Sequence, residues 1–436
     1  MKINKKNIIF YFFILLLFIP IIQMNIDLFK VKPLKGTFEL TNKPELSYKS
    51  WISKDFQTEY NKFFNDHLGF RELLIRLNNQ IAYSLFNKVN AFGLSMGKDG
   101  YSYGEGYILY SYSGVDFLGK KKIDNLMEKT KKVQDKLKNK FGIDLIILYA
   151  PSKELLLPEY FPERLNYIER KNNNIDYFLK KSKELGINYI DYNNYFRTLK
   201  DTTNIPIYYK QGEHWTYYTM CWATDTLTRY IEKIRNIDIP DVKFVGSETT
   251  DKPRFFDYDQ GDAMNLMFDI KQDNLIYPIL EFDTIQKSKP NVLAIADCYY
   301  LQMYNSPIAK KCFSKNSNLW FYYRQSYERT GNKEMNEINI HNTILNQDVI
   351  IILHTNHTLK QFGYGFIDEL EQRIELEDKD FKKLPHSYNK KDIPDVIKTI
   401  NKNKLWYNSV KEQAKERNIS IDSMLTRAAI YYLKNK

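Results

Sequence analysis

Short apolar runs, separated by stretches of helical periodicity, constrain this chain most. Residues 143–149, 291–296, 319–323 and 348–353 are apolar at nearly every position, and 187–192 reads as a further strand. A strand with one face in water alternates apolar and polar residues; a run that does not alternate is buried on both faces. Between these runs, Ile123, Leu126, Val133, Leu137 and Phe141 recur at helical spacing. Residues 174–185 and 216–234 read as helices, the latter from a Thr216 cap, with further helical stretches at about 303–312, 334–345 and 359–373. This alternation predicts an α/β fold with a mostly parallel sheet covered on both faces. Ligands of such sheets bind beyond the carboxyl ends of the strands. Ala150-Pro151-Ser152-Lys153 and Ala296-Asp297-Cys298 fall at two such ends.

Two segments carry groups suited to acyl transfer. Gln211-Gly212-Glu213-His214-Trp215-Thr216 sets a histidine on a polar turn just before a helix, and Asp297-Cys298-Tyr299 sets a thiol just past a strand. An unperturbed imidazole titrates near pH ~6.5 and serves as a general base. A thiol at a strand-to-helix corner gains nucleophilicity from the helix amides. The residues alone leave two readings of each: His214 as base or as a structural histidine, Cys298 as nucleophile or as an inert buried thiol. The three cysteines, Cys221, Cys298 and Cys312, are too few for a disulfide scaffold, and a Cys298–Cys312 pairing stays open. No zinc-ligand spacing and no glycine-rich phosphate loop occurs, so neither a metal nor a cofactor is expected.

The amino terminus has a different character. Lys2, Lys5 and Lys6 precede an uncharged apolar run over 8–24, which reaches the short end of membrane-spanning length, about 17 residues. Basic residues ahead of it predict a cytoplasmic amino terminus and an exported bulk. No small-x-small cleavage site follows, which favours an uncleaved anchor over a signal peptide. Residues 54–87 read as helical with a break at Leu68-Gly69-Phe70, and 93–106 as a hairpin. Beyond Ile374 the chain turns polar to Asn401, and a last helical segment is expected over about 406–432. The expected division is an anchor over 1–28, a linker over 29–54 with Pro33 and Pro44, one domain over 55–375, and a charged linker with a helical tail over 376–436. Lysine and arginine (64) exceed aspartate and glutamate (53), which suits an anionic surface or polymer, but no nucleic-acid motif accompanies the excess. The many tyrosines fit either sugar-lining surfaces or ordinary core positions.

An ordered series of motifs then bears on the two readings. Asn65-Asp66-His67-Leu68-Gly69-Phe70-Arg71, Gly97-Lys98-Asp99-Gly100, Ala150-Pro151-Ser152-Lys153-Glu154, His214-Trp215-Thr216, Gly261-Asp262 and Asp297-Cys298-Tyr299 follow one another over about 55–360. The series resembles the SGNH hydrolase-like domain of the alginate O-acetyltransferase family (AlgX/AlgJ type). That resemblance implies an SGNH-like three-layer α/β/α fold between an amino-terminal anchor and a helical carboxyl-terminal tail. It implies an extracytoplasmic, periplasmic-side domain that moves acetyl groups onto hydroxyls of an exported polysaccharide. The acetyl donor would be a multispanning membrane O-acyltransferase.

By position, the resemblance makes His214 the base and Cys298 the nucleophile, with Asp297 and Glu213 beside them. Arg324 and Tyr304, with Trp215 and Lys153, are the expected substrate-binding neighbours. Two departures follow. The family nucleophile is serine, and the family's acid two residues before the histidine is here Gly212. A backbone carbonyl or Asp201 is the expected substitute for orienting His214. A cysteine needs that acid less than a serine does, which favours a Cys–His dyad. A fold that binds glycan without turnover, and an esterase that delivers acetyl to water, are the competing expectations.

Overall fold

The computed structural model describes residues 5–36, 40–272, 274–375, 393–416 and 420–434. A small antiparallel hairpin, β1 (Leu94–Met96) and β2 (Ser102–Gly104), precedes the main sheet. The sheet's first strands are β3 (Asp144–Tyr149) and β4 (Tyr189–Asp191). A long antiparallel arm follows, made of β5 (Asp241–Thr250) and β6 (Leu275–Asp283). The remaining strands are β7 (Val292–Ala296), β8 (Asn318–Phe321), β9 (Gln325–Glu328), β10 (Gly331–Glu334) and β11 (Val349–His354).

The main sheet has the order β10-β9-β8-β7-β11-β3-β4. Its strands from β8 through β4 run parallel, and β9 and β10 add an antiparallel edge. Alternate residues face opposite layers, as the two-residue period of a strand requires. Ile146, Leu148, Ile351, Leu353, Ala294 and Ala296 join one core with Trp215, Leu227 and Met303. Leu145, Ile147, Ile350, Ile352, Leu293 and Ile295 join the other with Met127, Phe178 and Phe366. Helices Tyr217–Arg235, Cys298–Asn305 and Pro307–Cys312 contribute to the first layer, and Lys120–Phe141, Asn174–Leu185 and Phe366–Glu375 to the second. The expected α/β/α architecture is therefore present, and burial on both faces explains why the strands read as unbroken apolar runs.

The differences from expectation have local causes. The helix expected over 303–312 is two helices, because Ser306 caps the second through Ala309 N–H (3.1 Å) and Pro307 starts it anew. The stretch expected as helix from 334 opens instead as the end of β10, and only Ile340–Leu345 is α-helical. Helix Phe366–Glu375 starts late because Gly363 (φ 73°) and Gly365 (φ 86°) take left-handed conformations that helices exclude. The β5–β6 arm and the β9–β10 edge had no signal strong enough to be expected.

The amino-terminal helix Lys5–Ile26 contains a span, Ile8–Ile26, long and apolar enough to cross a membrane, and it fits a single-pass anchor. The linker after it does not hang free: Arg76 donates to the carbonyls of Lys32 (2.8 Å) and Pro33 (2.7 Å). The carboxyl-terminal region is three helices, Ile393–Lys402, Lys404–Glu416 and Ile421–Lys434, rather than one. They bury Val396, Ile400, Val410, Met424, Leu425 and Ala429 against one another. Of the polar stretch expected up to Asn401, residues 376–392 lie outside the described residues, and 393–401 fall in helix Ile393–Lys402 rather than in a linker.

Ile351 lies fully buried in β11, the middle strand of the parallel part of the sheet. Ile351→Ala is expected to cost about 2–5 kcal/mol through lost burial and an unfilled cavity. The urea midpoint at constant slope measures this, and an unshifted midpoint contradicts it.

Candidate active site

β7 ends at Ala296, and helix Cys298–Asn305 starts two residues later. Asp297 caps that helix: its Oδ1 accepts from Tyr299 N–H at 3.0 Å. Its Oδ2 accepts from Thr355 N–H (3.0 Å), Thr355 Oγ1 (2.9 Å) and Thr358 Oγ1 (3.3 Å), just beyond β11. Asp297 is fully buried, and burial raises its carboxyl above the usual range while these donors pull it back. Its bonds hold two strand ends in register and fix Cys298 at the first helical position. They do not reach the imidazole.

His214 arrives from the other side. Trp215 pairs with Tyr208 as an isolated bridge, and Thr216 caps helix Tyr217–Arg235 through Thr219 N–H. The ring is thus held between a two-stranded turn and a capped helix. His214 Nε2 lies 3.0 Å from Cys298 Sγ, and His214 Nδ1 donates to Asp259 Oδ2 at 2.6 Å. A carboxylate can only accept, so Nδ1 carries the proton and Nε2 faces the sulfur. Burial opposes a charge on this imidazole, but the charges of Cys298 and Asp259 outweigh it and hold His214 well above the ordinary histidine range.

Asp259 is the residue that sequence reasoning missed. Neither Asp201 nor a backbone carbonyl takes Nδ1. The segment between β5 and β6 folds back so that Asp259 Oδ1 also accepts from Glu213 N–H (2.8 Å) and Gln260 N–H (2.9 Å). A Cβ on Gly212 would lie 3.2 Å from Asp257 O, so this approach uses the absence of a side chain there. The signal was Gly261-Asp262, two residues past Asp259, but the chain offers Asp257, Asp259 and Asp262 together and nothing local singles out one.

The other expected site residues take different positions. Glu213 joins the site through its backbone, with its carbonyl accepting from Tyr299 Oη at 2.8 Å. Its fully buried carboxyl accepts from Gln260 and lies beside Glu154, and burial, followed by the Glu154 charge, raises it well above the usual range. Lys153 is also fully buried, and its ammonium donates to the carbonyls of Ser102 (2.9 Å), Tyr209 (3.2 Å), Lys210 (3.0 Å) and Gly212 (2.7 Å). Burial lowers its pKa to about 8. It fixes the turn that carries His214 and has no surface to offer a solute. Trp215 is wholly enclosed among Tyr192, Phe196 and Tyr299. Tyr304 is buried beneath the Arg329 guanidinium, which sits 3.9 Å from the ring centre. Arg324 is exposed on the turn beyond β8.

That same turn brings a group that was not expected. Tyr322 and Tyr323 both take left-handed conformations (φ 50° and 55°), unusual for aromatic residues. The turn sets Tyr322 Oη 4.0 Å from Cys298 Sγ. Burial first, then the charges of Cys298 and Asp297, raise the Tyr322 phenol far above its usual range, so it stays a donor. The three cysteines are free, and Cys312 points to Pro240 O (3.5 Å), so no Cys298–Cys312 bond forms.

With this geometry established, likeness to known proteins can be placed on it. Residues 97–275 match the family model described as SGNH hydrolase-like domain, acetyltransferase AlgX. These residues are similar to an SGNH hydrolase-like domain, and the match spans the His214 and Asp259 segments. Among solved structures, AlgX of Pseudomonas aeruginosa is 14% identical, with 64% of this chain and 65% of that one covered and a TM-score of 0.42. This chain therefore spans less than two thirds of that structure's length. The O-acetyltransferase domain of Pseudomonas putida AlgJ is 12% identical, with 64% and 99% covered and a TM-score of 0.39. PatB1 of Bacillus cereus is 10% identical, with 55% and 91% covered and a TM-score of 0.34. No curated protein matches the chain.

Two expectations follow from the local electrostatics. In Asp259→Asn the imidazole loses one of the two charges that hold it protonated, so His214 should titrate at lower pH than in the parent, as read by nitrogen NMR of the ring. An unchanged titration would mean that Asp259 does not set the ring's charge. Lys153→Met leaves four carbonyls without their shared donor and Glu154 and Glu213 without a buried cation. A loss of about 3 kcal/mol is expected in chemical denaturation.

Proposed function

We propose that residues 55–375 form an O-acetyltransferase domain that moves an acetyl group to a hydroxyl of an exported glycan through a thioester on Cys298. The observation that carries this reading is the continuous line from Asp259 to His214 to Cys298, with contacts of 2.6 and 3.0 Å. A nucleophile, a base within reach of it and a third group orienting the base are the parts that covalent acyl transfer requires. The match to an acetyltransferase family model supports acetyl as the acyl group.

The steps follow from the atoms. Cys298 Sγ, with its proton held on His214 Nε2, attacks the donor's acetyl carbonyl. The charge that develops on the carbonyl oxygen needs a donor. Amides that follow Cys298 are already engaged: Tyr299 N–H with Asp297 Oδ1, and Tyr300 N–H with Asp297 O (3.2 Å). The Tyr322 hydroxyl is placed to serve instead. His214 then protonates the leaving group, and the carbonyl re-forms as a thioester. A glycan hydroxyl gives its proton to Nε2 and attacks the thioester, the acetyl leaves sulfur for oxygen, and the same proton stays on Nε2 beside the freed sulfur. Asp259 keeps Nε2 facing the reaction throughout.

The apolar span Ile8–Ile26, preceded by Lys2, Lys5 and Lys6, supports a cytoplasmic amino terminus and an extracytoplasmic domain. In that setting a multispanning membrane O-acyltransferase delivers the acetyl group from the cytoplasm.

Cys298→Ala and His214→Ala should each reduce acetyl transfer from a chromogenic ester by about a hundredfold or more. The parent should also show an acetyl adduct on Cys298 that hydroxylamine removes. Parent-like rates in both variants sink the mechanism. An acetylated oligosaccharide product separates transfer from hydrolysis, and glycan binding with no turnover in the parent favours a binding protein.

A further inference from the structure

Helix Arg71–Phe86 is built the wrong way round for a helix on a water-exposed surface. Arg76, Asn79 and Gln80 face the protein, while Asn78 and Ser84 are its exposed polar residues. Arg76 and Asn79 are buried: Arg76 holds the linker carbonyls, and Asn79 donates to Met264 O (2.9 Å). Gln80 accepts from Phe268 N–H at 3.0 Å. The opposite face carries Leu73, Leu74, Leu77, Ile81 and Leu85, which are between 41% and 71% exposed. Their spacing places them on one stripe. A surface helix normally turns such a stripe inward, so this one is shaped for an apolar surrounding.

The amino-terminal helix indicates which surrounding that is. Gly69, just ahead of helix Arg71–Phe86, lies so close to the first helix that a Cβ there would overlap Pro20 O and Met24 N. The rings of Phe29 and Phe70 meet at 6.0 Å. With a rise of about 1.5 Å per residue, Pro20 is only about 9 Å from the end of its helix at Ile26. The start of the inverted helix is therefore at the level where the span leaves the hydrocarbon. Lys35, paired with Asp262, and Asn265, which bonds Lys35 in both directions, tie the linker to the segment that also bears Asp259.

We propose that helix Arg71–Phe86 lies in the lipid–water interface of the membrane that the amino-terminal helix spans. Its leucine stripe sits among the upper acyl chains, and its polar side carries the catalytic domain. The occupant of the stripe is lipid, because the stripe continues directly from the anchor. The domain is then docked against the bilayer at a fixed level rather than suspended on a flexible linker. This rests on the anchor reading given above.

The test uses the full chain in phosphatidylethanolamine–phosphatidylglycerol vesicles that contain a phospholipid with a photoactivatable acyl chain. Peptide mapping should find lipid adducts on both 8–26 and 71–86. In the variant Leu74→Gln, Leu77→Gln, Ile81→Gln, Leu85→Gln, adducts on 71–86 should fall by about tenfold, while those on 8–26 and ester turnover in detergent stay as in the parent. Adducts on 8–26 with none on 71–86 overturn the proposal and leave the anchor standing. Adducts on neither overturn both. A parent that is dimeric in detergent and shows no lipid adducts on 71–86 also overturns it, in favour of a second copy as the occupant.

Discussion

A buried ammonium holds the site together. Lys153 stands just past β3, and its Nζ gathers carbonyl oxygens from Ser102, Tyr209, Lys210 and Gly212. These belong to the β1–β2 hairpin and to the 209–212 turn, neither of which pairs with the main sheet. Removing a cation this far from water is costly, as its lowered pKa reports, so the bonds it makes are needed in full. They give the turn that carries His214 a fixed position relative to the sheet, and the sheet gives Cys298 its position through β7. The 3.0 Å approach of imidazole to sulfur depends on both.

Around that approach, several acids divide the work by environment. Asp259 is the one in contact with the ring. Asp297, adjacent to the thiol in sequence, spends its oxygens on Tyr299, Thr355 and Thr358 and so serves the scaffold. Glu213, adjacent to the histidine, turns its carboxyl into a buried cluster with Glu154, Gln260 and Lys153. Nearness along the chain was a poor guide to nearness in space because successive side chains in an extended turn point apart. Under the proposed chemistry, this leaves one carboxylate to stabilise the imidazolium and keeps the others from competing for its proton.

The amino-terminal part belongs to the same construction. Helix Arg71–Phe86 spends its polar groups on the linker and on 264–268, the stretch that follows Asp259 and Asp262. If its outer face rests in lipid as proposed, the membrane surface and the ring-orienting acid are connected by a short series of hydrogen bonds. A glycan emerging beside the anchor would then meet the site at a set height.

Much of the architecture was legible in the chain because it rests on patterns that are local. Unbroken apolar runs marked β3, β7, β8 and β11, helical spacing marked the covering layers, and the uncharged stretch after Lys6 marked the apolar helix. His214 and Cys298 could be picked out because each stands at a boundary between elements, and such boundaries leave turn and cap residues as a trace. What only the tertiary structure decided was partnership: that these two meet, that Asp259 and not Asp201 takes the ring, that Lys153 binds backbone, and that Tyr322 reaches the sulfur. The physical reason is the same in each case. The contacts close loops of many residues, from 24 between Cys298 and Tyr322 to 84 between His214 and Cys298, and the side chains at either end look no different from any other acid, lysine or tyrosine until the fold places them.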